Sequence, residues 1–356
     1  MRVMHVMGGG DVGGAKTHIM NMVTGLSRRN EVMLLSFRAG PFADEARERG
    51  IDVRVIERHN PFRAARAMRD LVDEFRPDII HCHGGRANLM GAMVRRSRQV
   101  PIVTTVHSDY KLDYLGNPFK QHTFGAANAV ALRFLDFYQP VADRMARTLI
   151  ERGFDPERIV KIYNGMDFKR PEGEFDRAAY LRDTYGVEVE EGDVLCGIAA
   201  RLTAVKDIAT TVRGFAAALE EAPQLRLFIA GDGEDEEMLR RLCAQLGVAE
   251  RVTFCGWVSP VGPFFRAMDI NLLSSVSETF PYSILEGVCA GCATICSDVG
   301  GMPELIDTGE NGYIFPVGDD RQLARYMARL ANDPALRCAF SEALYDKASR
   351  EFSREN

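Results

Sequence analysis

The chain has 356 residues, of which 46% are hydrophobic and 26% charged, so it is long enough for two cores and has the composition of an ordinary folded globular protein. No apolar run approaches the roughly 20 residues that a bilayer span requires, and the opening MRVMHVMGGGD shows no h-region and no cleavage site, so neither a membrane span nor a signal peptide is expected and a cytoplasmic location is. The formal charge of −6 is uneven, +8 over residues 1–170 and −14 over the rest, which suits an anionic partner on the first half unless it is scattered solvated charge.

Apolar runs alternate with helical patterns from end to end, the signature of α/β architecture with parallel sheets. The first strand, Arg2–Met7, leads into MGGGDVGGAKTH. There Gly8, Gly10 and Gly13 satisfy G-x-G-x-x-G, and glycines at a strand-to-helix turn let backbone approach a phosphate. A dinucleotide site would also need a carboxylate after the second strand. That strand (Val32–Phe37) is followed by Arg38, Ala39 and Gly40, with no acid until Asp44. An NADP-dependent oxidoreductase using Arg38 and a plain tight turn both stay open on this motif. Further strands are expected at Val53–Val55, Ile79–Cys82, Ile102–Val106, near Gln139–Ala142 and at Ile159–Ile162. Helices are expected at Lys16–Ser27, Phe42–Arg49, Phe62–Phe75, Arg86–Arg95 and Arg144–Glu151. The long aromatic segment HSDYKLDYLGNPFKQHTFGAANAVALRFLDFY contains Asp109 and Tyr110 and reads as an acceptor wall, a membrane-facing helix, or a core helix with its loop. Arginines gather at Arg63, Arg66 and Arg69 and at Arg95, Arg96 and Arg98.

Residues 167–193 are polar, with room for one short helix, and read as the interdomain segment. Strands then resume at Val194–Ala199, Arg226–Ala230, Val252–Cys255, Ile270–Leu273, Ala293–Cys296 and Tyr313–Phe315. Helices are expected at Ile208–Glu220, Glu236–Leu246 and Tyr282–Cys289. Two such α/β halves present the carboxyl ends of their strands, where ligands bind in these folds. AARLTAVKD places Arg201 and Lys206 just after a strand, where two cations can neutralise a diphosphate.

SSVSETFPYSILEG is the most informative stretch. Glu278 and Glu286 stand as E-x7-E across a strand-to-helix junction, with Pro281 suited to the first helical turn. The free N–H groups of that turn can hold a phosphate or sugar hydroxyls, and a carboxylate accepts from two vicinal hydroxyls at once. Cys82, Cys196, Cys255 and Cys296 read as reduced core thiols. Cys289, Cys292 and Cys296 have C-x2-C-x3-C spacing but no fourth ligand nearby, so core thiols are favoured over a metal there as well.

Taken in order, GGGDVGGAKTH, PDIIHCHG, TTVHSD, KIYNGMDF, AARLTAVKD, IAGDGED, VTFCGWV, SETFPYSILEG and SDVGGMPELIDTGENGYIFPVGD make the chain resemble the retaining glycosyltransferases of family 4, the glycosyl transferases group 1, over nearly its whole length. The resemblance implies the GT-B fold, with two Rossmann-like domains whose parallel sheets face an interdomain cleft. It implies an acceptor domain at 1–168, a donor domain at 169–340 and a segment 341–356 returning toward the first. Members often continue past the point where this chain ends in SREN.

The resemblance implies that Glu286 holds the ribose hydroxyls of a nucleotide-sugar donor. Glu278 would bind the transferred sugar, helped by backbone from Thr279, Phe280, Pro281, Tyr282 and Ser283. Arg201 and Lys206 would take the diphosphate, Gly256 and Val258 the base, and Gly13 and Gly14 the phosphate or acceptor. His107 matches the family's active-site histidine. Acceptor contacts are expected from Lys16, Asp109 and Tyr110. Lys16 stands where members often carry Glu, and Ala142 where many carry Ser.

The implied reaction is transfer to an acceptor hydroxyl with retention, from a UDP-sugar first and a GDP-sugar second, without cofactor or obligatory metal. The expected acceptor is a cell-surface polysaccharide or lipid-linked glycan, with peripheral contact to anionic membrane and no nucleic acid partner. A nucleotide-sugar epimerase of the same architecture is the alternative, ahead of the NADP enzyme. A sugar phosphorylase is disfavoured by chain length, and a silent binding protein by the presence of all five candidate site residues.

Overall fold

Strands with both faces covered read as continuous apolar runs, and here they form two all-parallel sheets of six strands each. The computed structural model describes residues 1–9, 14–58, 60–95, 98–111 and 118–353. They divide into two units, Met1–Tyr163 and Asn164–Asn356.

The first unit has strands β1 Arg2–Met7, β2 Glu31–Ser36, β3 Asp52–Val55, β4 Ile79–His83, β5 Ile102–Val106 and β6 Phe137–Pro140, in the order β3-β2-β1-β4-β5-β6. Its helices are α1 Gly14–Ser27, α2 Pro41–Glu48, α3 Pro61–Phe75, α4 Gly85–Arg95, the short α5 Pro118–Lys120, α6 Ala126–Leu132 and α7 Asp143–Glu151. A π turn, Gln121–Gly125, joins α5 to α6. Successive strand residues face opposite sides of a sheet. Met4, Val6, Met33, Leu35, Ile80 and Cys82 therefore build the core on one face, and Met7, Val32 and Leu34 pack with Ile19 and Val23 of α1 on the other.

The second unit repeats the plan. Its strands are β7 Val194–Ala199, β8 Leu225–Ala230, β9 Val252–Gly256, β10 Ile270–Leu273, β11 Ala293–Ser297 and β12 Tyr313–Phe315, in the order β12-β11-β10-β7-β8-β9. Helices α8 Arg177–Tyr185, α9 Ile208–Ala218, α10 Glu236–Gln245, α11 Gly262–Arg266, α12 Tyr282–Ala290, α13 Met302–Leu305, α14 Asp320–Asn332 and α15 Pro334–Glu351 cover it. In each unit the strand order is that of the doubly wound nucleotide-binding fold, which reverses direction between the first and fourth strands. No helix among the described residues is long and apolar enough to cross a membrane.

Three boundaries differ from expectation. The strand expected at Gln139–Ala142 begins two residues earlier, because Val141 and Ala142 are buried in the turn that caps α7. Ile159–Ile162 is not a strand but a single bridge from Ile159 to Tyr138. Val160 and Ile162 do donate to the carbonyls of Tyr138 and Pro140, at 2.9 and 3.1 Å. Pro140, however, has no N–H to return, so the ladder stops. The units part at Tyr163/Asn164 rather than at 168, since Asn164 Nδ2 donates to the Phe280 carbonyl (2.7 Å) and Met166 bridges Ser353. Of the segment 341–356, residues 341–353 are described and belong to the second unit, where α15 packs on α12, β11 and α14.

Candidate functional site

In the second unit the reversal point lies between β7 and β10. The loop after β7 carries Arg201 and Lys206 and ends at Asp207, which caps α9 by accepting from Thr210 N and Oγ1. The loop after β10 carries Ser274 to Pro281. Two bonds stitch these loops together: Val276 N to Val205 O at 2.8 Å and Ser274 Oγ to Lys206 O at 3.0 Å. Lys206 Nζ is thereby delivered to Glu278 Oε1 as an ion pair, and Ser275 Oγ donates to the same oxygen at 2.9 Å. The Lys206 and Glu278 side chains are only 20% and 13% exposed, so the pair is largely withdrawn from water. Arg201 is exposed on the same loop.

Two glycines let neighbouring backbone pack closely against these loops. A Cβ on Gly231 (φ 141°) would lie 1.9 Å from the Ala200 carbonyl oxygen. One on Gly300 (φ 51°) would lie 2.3 Å from Thr279 O and 2.5 Å from Glu278 O. Gly301 N donates to Thr279 O at 2.6 Å, which locks the SDVGGMPE loop beneath the Glu278–Thr279 backbone.

Pro281 is the N-cap of α12 rather than a residue of its first turn: its ψ of 128° is extended, and the helix starts at Tyr282. Phe280 and Tyr282 are buried, with Phe280 stacked on Phe352 (5.0 Å) and the Tyr282 hydroxyl reaching the Gly165 carbonyl (3.5 Å). Their side chains serve packing, which leaves backbone to face a ligand. Thr279 is buried and Ser283 half-buried. Glu286 lies one turn into α12, where burial pushes its carboxyl up to about 7. Gly256 ends β9 at φ 65°, and its carbonyl accepts from Gly231 N at 2.7 Å. Trp257 is exposed between Gly256 and the half-buried Val258.

In the first unit the reversal point is between β1 and β4. Gly10 and Gly13 lie outside the described residues, while Gly14 opens α1. Gly9 packs so closely on Arg38 that an added Cβ would sit 2.7 Å from the Arg38 amide nitrogen. His107 follows β5 directly, and His18 of α1 stands edge-on to it at 4.6 Å. Behind them, His5 Nδ1 and His83 Nε2 are 3.1 Å apart, and His81 Nε2 lies 2.7 Å from Thr105 Oγ1. His5, His81 and His83 each place one ring nitrogen within 4.8 Å of the others'. Burial drives His5 down to about 3 and holds His81, His83 and His107 well below the usual histidine value, so these rings are neutral.

The acceptor residues expected in this unit are engaged elsewhere. Lys16 pairs with Glu45 at 2.6 Å. Asp109 gives both oxygens to Arg152, at 2.7 and 2.6 Å; burial raises its carboxyl, but Arg152 overrides this and holds it below the usual range. The Arg152 guanidinium also covers the Tyr110 ring at 4.8 Å. Arg95 grips Asp136 and Arg98 grips Asp73, while Arg96 lies outside the described residues. In the aromatic segment Ala131 and Leu132 join the core, while Phe119, Phe124, Val130 and Phe134 are exposed. All eight cysteines are free thiols, and burial pushes Cys289 up to about 11 and raises Cys292 and Cys296 further.

Two parts of this arrangement were missed from sequence. Ser275 is signalled only by its place three residues before Glu278. The histidine stack is signalled by H-x-H in β4, whose period of two puts both rings on one face, and by His5, in register with His81 on β1.

The family model described as "Glycosyl transferases group 1" matches residues 186–347, and "Glycosyltransferase Family 4" matches residues 12–170. The lipopolysaccharide core biosynthesis glycosyltransferase LpsD of Rhizobium meliloti is 26% identical over 359 residues, covering 100% of this chain and 95% of its own. The N-acetyl-alpha-D-glucosaminyl L-malate synthase of Bacillus anthracis is 26% identical over 302 residues, 82% of this chain and 75% of its own. The crystal structure of Anabaena HepE in complex with UDP-glucose superposes with a TM-score of 0.85 at 22% identity, covering 99% of this chain and 96% of that one. That likeness is one of fold.

Proposed function

The chain belongs to the group 1, family 4 glycosyltransferases and has their GT-B fold; from that premise we propose that it transfers a sugar with retention from a nucleoside diphosphate, UDP before GDP, to the hydroxyl of a polysaccharide or lipid-linked glycan precursor. The observation that carries this reading is the Lys206–Glu278–Ser275 group at the reversal point of the second sheet, with Arg201 on the same loop and Glu286 on the helix that follows.

The second unit would take the donor. Ionised Glu286 accepts from both ribose hydroxyls. Arg201, Lys206 and the first N–H groups of α12 meet the diphosphate, whose negative charge grows as its bond to the anomeric carbon breaks. Lys206 would then move from Glu278 to phosphate, which frees Glu278 to hold sugar hydroxyls. The acceptor oxygen bonds to the anomeric carbon on the face that the diphosphate leaves, and its proton passes to a departing phosphate oxygen. We assign His107, kept neutral by burial, to a hydroxyl of the transferred sugar. These cations supply the charge stabilisation, so we propose that no metal is required and that chelation with EDTA leaves turnover unchanged.

The HepE complex with UDP-glucose favours UDP, and the role in LpsD's name favours a cell-surface glycan. The exposed Phe119, Phe124 and Phe134 beside Lys120 and Arg133 favour peripheral contact with anionic membrane. A thermal-shift screen of UDP, GDP, ADP, dTDP and NADP tests the reading. One nucleoside diphosphate should stabilise the protein and lose that effect in Glu286→Ala; a shift with NADP alone would overturn it.

A further inference from the structure

His5, His81 and His83 take no part in the chemistry assigned above, and their place in the fold is unusual for histidine. In β1 and β4 the residues that alternate with Met4, Val6, Ile80 and Cys82 face the other side of the sheet, toward α1. Met7 and Leu34 fill that side as a core requires. Three imidazoles nevertheless stand there, 0%, 6% and 2% exposed in chain order. A buried polar group is the informative exception in a core, and it needs a partner.

The partners present do not suffice. His81 is anchored through Nε2 to Thr105 Oγ1 at 2.7 Å. His5 Nδ1 and His83 Nε2 approach each other to 3.1 Å, while His5 Nε2 and His83 Nδ1 are buried with no hydrogen-bond partner among the described residues. A neutral imidazole has one N–H and one lone pair. Whichever ring donates across the 3.1 Å contact, one N–H and one lone pair are therefore left unmatched inside the core. A nitrogen lone pair without a proton donor is what a metal ion takes. One ring nitrogen of each histidine lies within 4.8 Å of the others'. Two nitrogens held by one ion at about 2.0–2.1 Å stand about 2.9–3.4 Å apart, and the His5–His83 contact already has that spacing. Strand register supplies the arrangement, since His5 is paired with His81 on neighbouring parallel strands and the period of two brings His83 to the same face.

We propose that His5, His81 and His83 form a binding site for a late first-row divalent cation such as zinc. Three imidazole nitrogens with no carboxylate among them suit zinc, copper or nickel, and not magnesium, calcium or manganese. The His107 ring centroid is 5.9 Å from that of His83, so the ion would brace the rings behind His107 without entering the transfer step. The site is independent of the sugar-transfer reading, and turnover without a metal is compatible with it. Equilibrium dialysis of the full chain, first stripped with chelator, against zinc should give one bound ion per chain, with a rise in Tm and no competition from magnesium. His5→Gln, His81→Gln and His83→Gln should each weaken binding about tenfold or more, whereas His122→Gln, at an exposed position, should leave it unchanged. X-ray absorption at the zinc edge needs no substitution. On the wild type it should count three imidazole nitrogens at about 2.0–2.1 Å, whether or not the variants fold. Failure to take up zinc, uptake that His122→Gln removes, or fewer than three imidazoles around the ion overturns the proposal.

Discussion

Lys206 and Glu278, separated by a sheet crossover and 72 residues of sequence, form an ion pair on the loops that follow β7 and β10. Ser275 supports the same carboxylate oxygen. Both charges are mostly withdrawn from solvent, so each is held by the other.

Removing one member of this pair should cost more than removing both. Lys206→Met leaves Glu278 without its cation and should lower stability by about 1–3 kcal/mol, while adding Glu278→Gln should recover most of that loss. Neither variant should regain transfer, which should fall about 100- to 1000-fold with the loss of charge on the leaving group. Chemical denaturation and initial rates of the two single variants and the double variant check this. Additive stability losses would mean that the pair is not coupled.

Glu286 should make donor binding depend on pH. Its carboxyl is raised to about 7, and only the ionised form accepts from two ribose hydroxyls. Affinity for the nucleoside diphosphate should rise through pH 6–8, and Glu286→Gln should flatten that rise. The same shift predicts a stability effect of definite sign. Between the unfolded value near 4.5 and about 7 the folded chain binds the extra proton, so stability falls as pH rises through that window. At pH 8, Glu286→Gln should therefore stabilise the protein by on the order of 3 kcal/mol. Titration calorimetry and urea melts at four pH values read both effects.

The buried histidines should make the fold sensitive to acid. His5, His81, His83 and His107 stay neutral in the folded chain but would charge near 6.5 when unfolded. Their contribution is complete above about 6.5 and is lost as pH falls, at up to about 1.4 kcal/mol per pH unit for each group. His5→Leu should flatten the decline of Tm between pH 6.5 and 5 by the share of one proton. An unchanged slope would show that His5 is already charged in the folded state.

Gly300 should tolerate no side chain. Gly300→Ala would drive a methyl into the carbonyls of Glu278 and Thr279 in a left-handed backbone, and should cost about 2–4 kcal/mol and most of the donor binding. Gly309→Ala is the control. It shares the left-handed conformation (φ 88°) but meets nothing within 4 Å, and should cost about 1 kcal/mol without affecting the donor.

Local patterning determined most of the fold. Arg2–Met7, Ile102–Val106, Val194–Ala199, Ile270–Leu273 and Tyr313–Phe315 stand where their apolar runs predict them, because a strand buried on both faces needs little beyond such a run. The edges were less legible. At Ile159–Ile162 the outcome depended on Pro140 in the neighbouring strand, and at Asn164 on a hydrogen bond to Phe280. The residue types of the candidate site were also readable, since Glu278, Glu286, Arg201 and Lys206 each stand in a recognisable motif beside or within an element. Their pairing was not. That Lys206 is spent on Glu278, Asp109 on Arg152 and Lys16 on Glu45 follows from loops brought together by parallel crossovers, and the histidine stack follows from strand register. A charge's partner and a ring's proton depend on distance and burial, which the chain acquires only once its sheets have formed.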